Sequence, residues 1–220
     1  MQPFPGLETL SPDVIYYGVL PYDDALELQA YMGKLRRRNR ITDTLLLLEH
    51  PPTYTLGIRG EKTHLLVSED ELKKRGIKLF RTDRGGDITF HGPGQIIGYP
   101  IIDVGARFDG VRLYVRWLEK MLIRALADLG VHASGLPGYP GAWTENRKIA
   151  AIGVKVDSGG ISSHGFAVNI NTDLHYFDDI VPCGLENCFV TSLSRELGRK
   201  VPMADARDAL SRAFIHATNL

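Results

Sequence analysis

Two apolar, β-branched runs, KIAAIGVKV at 148–156 and ISSHGFAVNIN at 161–171, are separated only by Asp157-Ser158-Gly159-Gly160. Runs of this kind around a short Gly-rich break form a hairpin, so the chain must contain antiparallel sheet. IKLFRTD (77–83), DITFHG (87–92) and QIIGYPIID (95–103) read as three more strands joined by tight Gly-rich turns. VIYYGV (14–19) is a strand by its β-branched and aromatic content. TDTLLLLEH (42–50) is almost continuously apolar, hence a strand buried on both faces, and Pro51-Pro52 halts it with His50 at its end. Between the strand groups lie helical patterns. VRLYVRWLEKMLIRALADLG (111–130) has a long apolar period and stops at Gly130. YDDALELQAYMGKLRRRN (22–39) opens with acids and closes with bases, as the helix dipole prefers. EDELKKRG (69–76) and MADARDALSRAFIHAT (203–218) complete the set. Strands in groups, with helices between groups, imply an α/β (α+β) chain: a mixed, largely antiparallel sheet with helices packed against it.

At 220 residues, with no internal repeat or linker, the chain is expected to form one domain over 1–220. Its 26 basic and 26 acidic residues cancel, so bulk charge points to neither nucleic acid nor membrane. A charged partner must meet a local patch, for which Lys34 to Arg40, KLRRRNR, is the candidate; a solvated helix end explains the same run. No apolar run approaches membrane-spanning length, and MQPFPGLETLSPD lacks a basic region and an apolar signal core, so a cytoplasmic protein is expected. Cys183 and Cys188 would then be thiols.

RGGDITFHGPGQ, at 84–95, sets glycines beside Arg84, Thr89 and His91. Such backbone freedom fits a loop that cradles a ligand, and equally an ordinary turn. Cys183, between Pro182 and Gly184, is either an accessible nucleophile or a small buried hydrophobe, whereas Cys188 beside Phe189-Val190 reads as the latter. A metal site from Cys183, Cys188, His164 and His175 lacks the usual ligand spacing, so no metal is expected. Lys148, Lys155 and Arg147 are solvated cations by default. His50, His91 and His164 stand near glycines at strand ends, which suggests one cleft rim.

RGGDITFHGPGQIIGYPIID, EHPPTYTLG, RKIAAIGVKV, SSHGFAVNINTDL and VPCGLENCFVTSL together resemble the octanoyltransferases of lipoate biosynthesis, in order along the chain. The resemblance implies the biotin/lipoate protein ligase fold and no cofactor. It implies octanoyl-acyl carrier protein as donor. The implied acceptors are lipoyl domains of 2-oxoacid dehydrogenase subunits and glycine cleavage H protein. Carried over by motif, Cys183 is the acyl-thioester nucleophile and Lys148 activates it. The acyl pocket is implied to be lined by Arg84, Gly85, Gly86, Asp87, Ile88, Thr89, Phe90 and His91, by Ala151, Ile152 and Gly153, and by Gly165, Phe166 and Ala167. His50, Tyr99 and His164 would support it, and Lys148 or His91 would take the proton of the attacking lysine. The alternatives are an ATP-dependent lipoate or biotin protein ligase, which has no use for a nucleophilic cysteine, and a non-catalytic acyl-binding or carrier-docking protein. The chain has no GxxxxGK[ST] phosphate loop.

Overall fold

The computed structural model describes residues 8–11, 13–181 and 189–219, with the backbone alone at 8–11. Cys183 and Cys188 therefore lie outside the described residues. A large sheet runs β1 (Glu8–Ser11), β2 (Val14–Val19), β3 (Thr44–Glu49), β7 (Gln95–Ile101), β11 (Ser162–Asn169), β10 (Arg147–Val156), β9 (Tyr139–Thr144) and β8 (Ser134–Leu136) across its width. The hairpin read at 148–171 is the β10–β11 pair, with Val156 opposite Ser162 and Ala150 opposite Val168. The buried strand read at 42–50 is β3, which pairs β2 in parallel and β7 antiparallel. The sheet is thus mixed and largely antiparallel.

A separate three-stranded sheet has β4 (Thr53–Leu56) at its centre, β5 (Lys78–Arg81) parallel to it and β6 (Ile88–His91) antiparallel. This corrects the expectation of three successive strands joined by tight turns within one sheet. β4 occupies the gap because Pro51-Pro52 stops β3 without preventing a new strand at Thr53, and it separates β5 from β6. The Gly92-Pro93-Gly94 turn does not close a hairpin; it carries the chain from β6 in the small sheet to β7 in the large one. Gly94 is suited to the bend by its φ of +78, and a Cβ there would meet Asn171 O at 2.8 Å.

Helices cover the large sheet on both faces. α1 (Tyr22–Arg37) packs Ala25, Leu28 and Met32 against Leu46, Leu48, Ile97 and Ile101. α2 (Glu69–Lys74), capped by Ser68, packs Leu72 beneath the small sheet. After the single-turn α3 (Val104–Arg107), α4 (Val111–Asp128) presents Tyr114, Leu118, Leu122 and Ala125 to the other face. The short α5 (Leu193–Leu197) and then α6 (Met203–Thr218) complete that layer with Leu193, Leu210 and Phe214. A two-residue strand, β12 (Phe189–Val190), runs parallel to β10 at Arg147 and Lys148, where β11 has already left the ladder.

The basic run at the end of α1 is partly consumed internally. Arg36 pairs with Asp43 at 2.7 Å, and Arg37 pairs with Asp157 in the β10–β11 turn. Among the described residues, no helix is long and apolar enough to cross a membrane.

Candidate active site

Between the two sheets lies a cavity of about 90 Å³, lined largely by apolar surface. The large sheet contributes Ile97 and Tyr99 of β7, Ala151, Ile152 and Gly153 of β10, and Gly165, Phe166 and Ala167 of β11. The small sheet and the loop before it contribute Arg84, Gly86, Asp87, Ile88, Thr89 and His91. Two of the expected wall residues fall elsewhere. Gly85 lines an outer groove that shares Gly86, Asp87, Lys148, Ile152 and Gly153 with the cavity. Phe90 alternates to the far side of β6, where it stacks on Tyr176 at 4.3 Å in the small sheet's own apolar cluster.

The Gly-rich segment is held by Arg84 rather than by a turn's own geometry. The buried guanidinium donates to Thr55 O at 2.7 Å, Thr55 Oγ1 at 2.9 Å, Asp87 O at 2.7 Å and Gly85 O at 3.0 Å. Its planar fork thereby ties β4 to both ends of the loop. The loop meets the large sheet where Gly85 N donates to Val154 O, and a Cβ on Gly153 would stand 2.7 Å from Gly85 O. Glycines thus allow backbone to close on backbone here.

The three histidines do not share a rim. His50 is wholly buried behind the cavity wall: Nδ1 donates to Leu20 O at 2.6 Å, so Nε2 accepts from the Tyr99 hydroxyl at 2.7 Å. Burial pushes its pKa down to about 4. His91 is buried in the wall itself. Its Nδ1 donates to Gln95 Oε1 at 2.9 Å, an oxygen left to accept because Gln95 Nε2 donates to Phe90 O and Asn169 Oδ1. Its Nε2 faces Thr55 Oγ1 at 3.3 Å. Burial holds His91 well below the ordinary histidine range, reinforced by His50 and Arg84 nearby. With both nitrogens engaged and its cation disfavoured, His91 is poorly set to take up a proton in this arrangement.

His164 has a different setting. It lines the cavity, and its Nε2 lies 2.8 Å from Asp83 Oδ1, while Lys155 pairs with the other carboxylate oxygen. Burial depresses the His164 pKa more than Asp83 raises it. Asp83 is held down at about 2, because hydrogen bonds from Lys155 and His164 outweigh its partial burial.

Lys148 is 7 % exposed, so the default of a solvated lysine fails here. Lys155 and Arg147 keep more exposure and pair with Asp83 and Glu196. Lys148 sits opposite Trp143 across the β9–β10 ladder, its Nζ 4.6 Å from the indole centroid, and opposite Val190 on β12. It lines both the cavity and the outer groove, and so marks the mouth between them. Residues 182–188, which carry Cys183, connect Val181, bonded to His64 O, with Phe189 beside Arg147. Trp143, Gln95, Asn169 and Tyr22 were not singled out from the sequence. A strand reading of GAWT before the 148–156 run would have found Trp143; the others carry no local signal. Among the described residues no group of His, Cys, Asp or Glu is arranged to hold a metal ion.

Residues 21–215 match the lipoyl protein ligase A/B catalytic domain model. An octanoyltransferase from Rubrobacter xylanophilus is 50% identical over 198 residues, covering 90% of this chain and 89% of the relative. Another, from Koribacter versatilis, is 45% identical over 206 residues, covering 91% and 82%. The fold is shared more widely. A bipartite lipoate protein ligase from Thermoplasma acidophilum superposes with a TM-score of 0.71 at 17% identity, over 94% of this chain and 83% of that one. Biotin protein ligase from Aquifex aeolicus gives 0.53 at 10% identity, over 94% and 68%. The chain belongs to the lipoyl protein ligase A/B catalytic domain family and, within it, to the octanoyltransferases, a class of acyltransferase.

Proposed function

We propose that the chain transfers an octanoyl group from acyl carrier protein to the target lysine of a lipoyl domain, through a thioester on Cys183. The observation that carries this reading is Lys148: a buried lysine at the mouth of a narrow, mostly apolar cavity, beside the strand that follows the Cys183 segment. An ammonium there stabilises a neighbouring thiolate. The Cys183 thiolate attacks the octanoyl carbonyl carbon, the bond to the carrier's pantetheine sulfur breaks, and that sulfur leaves as a thiolate that takes the Lys148 ammonium proton, leaving Lys148 a neutral amine. One thioester replaces another, so no nucleotide is consumed. The amine of the acceptor lysine then attacks the enzyme thioester, an amide forms, Cys183 leaves as thiolate, and the amine proton passes to a base. His91 being occupied on both nitrogens favours Lys148 as that base. The acyl chain lies on the floor formed by Ala151, Gly153, Gly165 and Ala167, where small or absent side chains leave room for it. The whole chain, 1–220, acts as one catalytic domain, in the cytoplasm, on lipoyl domains of 2-oxoacid dehydrogenase subunits or glycine cleavage H protein.

Purified protein mixed with octanoyl-acyl carrier protein should gain one octanoyl mass, removable by hydroxylamine. It should pass that group to an apo lipoyl domain with no ATP or magnesium. Transfer only from free octanoate with ATP would replace this reading with that of a ligase.

A further inference from the structure

His164 stands where a strand residue should not point into the cavity. Along β11 the even positions Phe166 and Val168 belong to the cluster under α4 and α6, while Ala167 belongs to the opposite face. By alternation His164 would join the first set. Its backbone instead takes a φ of +55, a strained conformation for a side chain with a Cβ, and the residue lines the cavity. The surroundings hold this arrangement. The β7 ladder stops at Phe166, and the released His164 N–H donates to Gln29 Oε1 at 2.7 Å. Nε2 is fixed on Asp83, which Lys155 holds in turn. A neutral imidazole whose Nε2 faces a carboxylate carries its proton there, so Nδ1 is a lone-pair acceptor. That atom is buried and, among the described residues, has no hydrogen-bond partner in the protein. Buried acceptors without partners are uncommon, and one placed by strain in a cavity wall points to a ligand group.

Its position says which group. His164 is opposite Val154, six positions along β10 from Lys148, or about 20 Å of strand. Both residues line the same cavity, and an extended eight-carbon acyl chain, about 10 Å long, covers a large part of the span between them. We propose that His164, positioned by Asp83, forms a polar end to the acyl cavity that reads the terminus of the bound chain. Chains whose terminal group carries a hydrogen-bond donor are accepted there, and alkyl chains long enough to press a methyl against Nδ1 are penalised. This rests on the octanoyl-transfer reading and adds a second substrate class to it: medium-length acyl groups bearing a terminal hydroxyl.

The experiment compares isosteric donors on acyl carrier protein: 8-hydroxyoctanoyl against nonanoyl, and 9-hydroxynonanoyl against decanoyl, with octanoyl as reference. Each pair differs only by OH in place of CH3. An apolar cavity end would reject the hydroxyl about a hundredfold, by the cost of burying it without a partner. With His164 as acceptor, the unaltered enzyme should use the hydroxylated member of at least one pair as well as its methyl counterpart or better, in kcat/KM. In His164→Leu the same ratio should fall at least about tenfold, as the hydroxyl loses its partner. Normal octanoyl transfer with strong rejection of the hydroxylated chain in both pairs would overturn the proposal and leave the functional reading intact. So would an unchanged ratio in folded His164→Leu. Absence of octanoyl transfer would remove the functional reading and this proposal with it. The comparison in the unaltered enzyme is decisive even if His164→Leu does not fold.

Discussion

Lys148 Nζ lies 4.6 Å from the ring centroid of Trp143, its neighbour across the β9–β10 ladder. The contact is cation–π in type, and at a desolvated site such contacts contribute up to about 2 kcal/mol. Trp143→Leu keeps apolar packing but removes the ring face. It is expected to lower the turnover of octanoyl transfer about tenfold with little change in the Michaelis constant for the carrier, since about 1.4 kcal/mol of positioning is lost. A large rise in that Michaelis constant with unchanged turnover would mean that Trp143 binds the carrier rather than orienting Lys148.

Replacing Lys148 separates its two proposed roles. Lys148→Ala should move the pH profile of Cys183 alkylation to higher pH and abolish rapid turnover, because a nearby cation favours the thiolate. Lys148→Arg keeps the charge but cannot accept a proton near neutral pH. It should retain much of the thiol reactivity and still fail to pass the acyl group to the lipoyl domain. Identical alkylation profiles in the wild type and in folded Lys148→Ala would sever the pairing of Cys183 with Lys148.

Acid should destabilise the protein through its buried histidines. His50 has a native pKa of about 4 against 6.5 in the unfolded chain, and His91 is lowered as well. Between those values the unfolded state binds more protons, so stability is complete above about pH 6.5 and falls as pH drops toward 4. Each fully neutral histidine contributes a slope of up to about 1.4 kcal/mol per pH unit in that window. Urea denaturation at a series of pH values measures this slope. Imidazole NMR signals of His50 and His91 that titrate near 6.5 in the folded protein would contradict it.

Gly153→Ala places a methyl 2.7 Å from Gly85 O and 3.2 Å from Arg84 Cδ. The backbone oxygen cannot yield without loosening the Gly85–Val154 hydrogen bond, so the variant should lose about 1–3 kcal/mol by overpacking. A thermal melt records this as a drop of several degrees, and octanoyl binding should weaken with it. An unchanged melting temperature would show that the Arg84–Asp87 loop is not clamped there.

The elements legible in the sequence are those whose pattern is local. The period of α4, the β10–β11 hairpin and the unbroken apolar run of β3 each announce an element within one window. β4 was lost because its four residues, Thr53–Leu56, follow two prolines and present too short a run to separate from a loop. β8 and β9 were lost because GLPGYPGAWT is dense in turn residues; Gly141 has a φ of +140 and packs on Ala150 O. At the site, most of the residues that the resemblance names line the cavity between the sheets, but partners decide what each residue does. Nothing near His91 in sequence says that Gln95 and Thr55 occupy both its nitrogens. Nothing near Arg84 says that its guanidinium donates to the backbone oxygen and the hydroxyl of Thr55, twenty-nine residues earlier.

The small sheet is built from strands of four residues and encloses its own apolar cluster of Tyr54, Leu56, Ile88 and Phe90. A unit of that size with a private core can part from its neighbour without dismantling it. Amide hydrogen exchange should therefore divide the molecule along the cavity, with β4 and β6 exchanging by a lower-energy opening than β7 and β11. Because one wall of the acyl site belongs to each side of that division, an acyl chain seated between them bonds to neither sheet covalently yet joins the two cooperative units. Loading the enzyme should slow exchange in β4 and β6 far more than in the strands of the large sheet, which makes acylation a change in local stability as well as in chemistry.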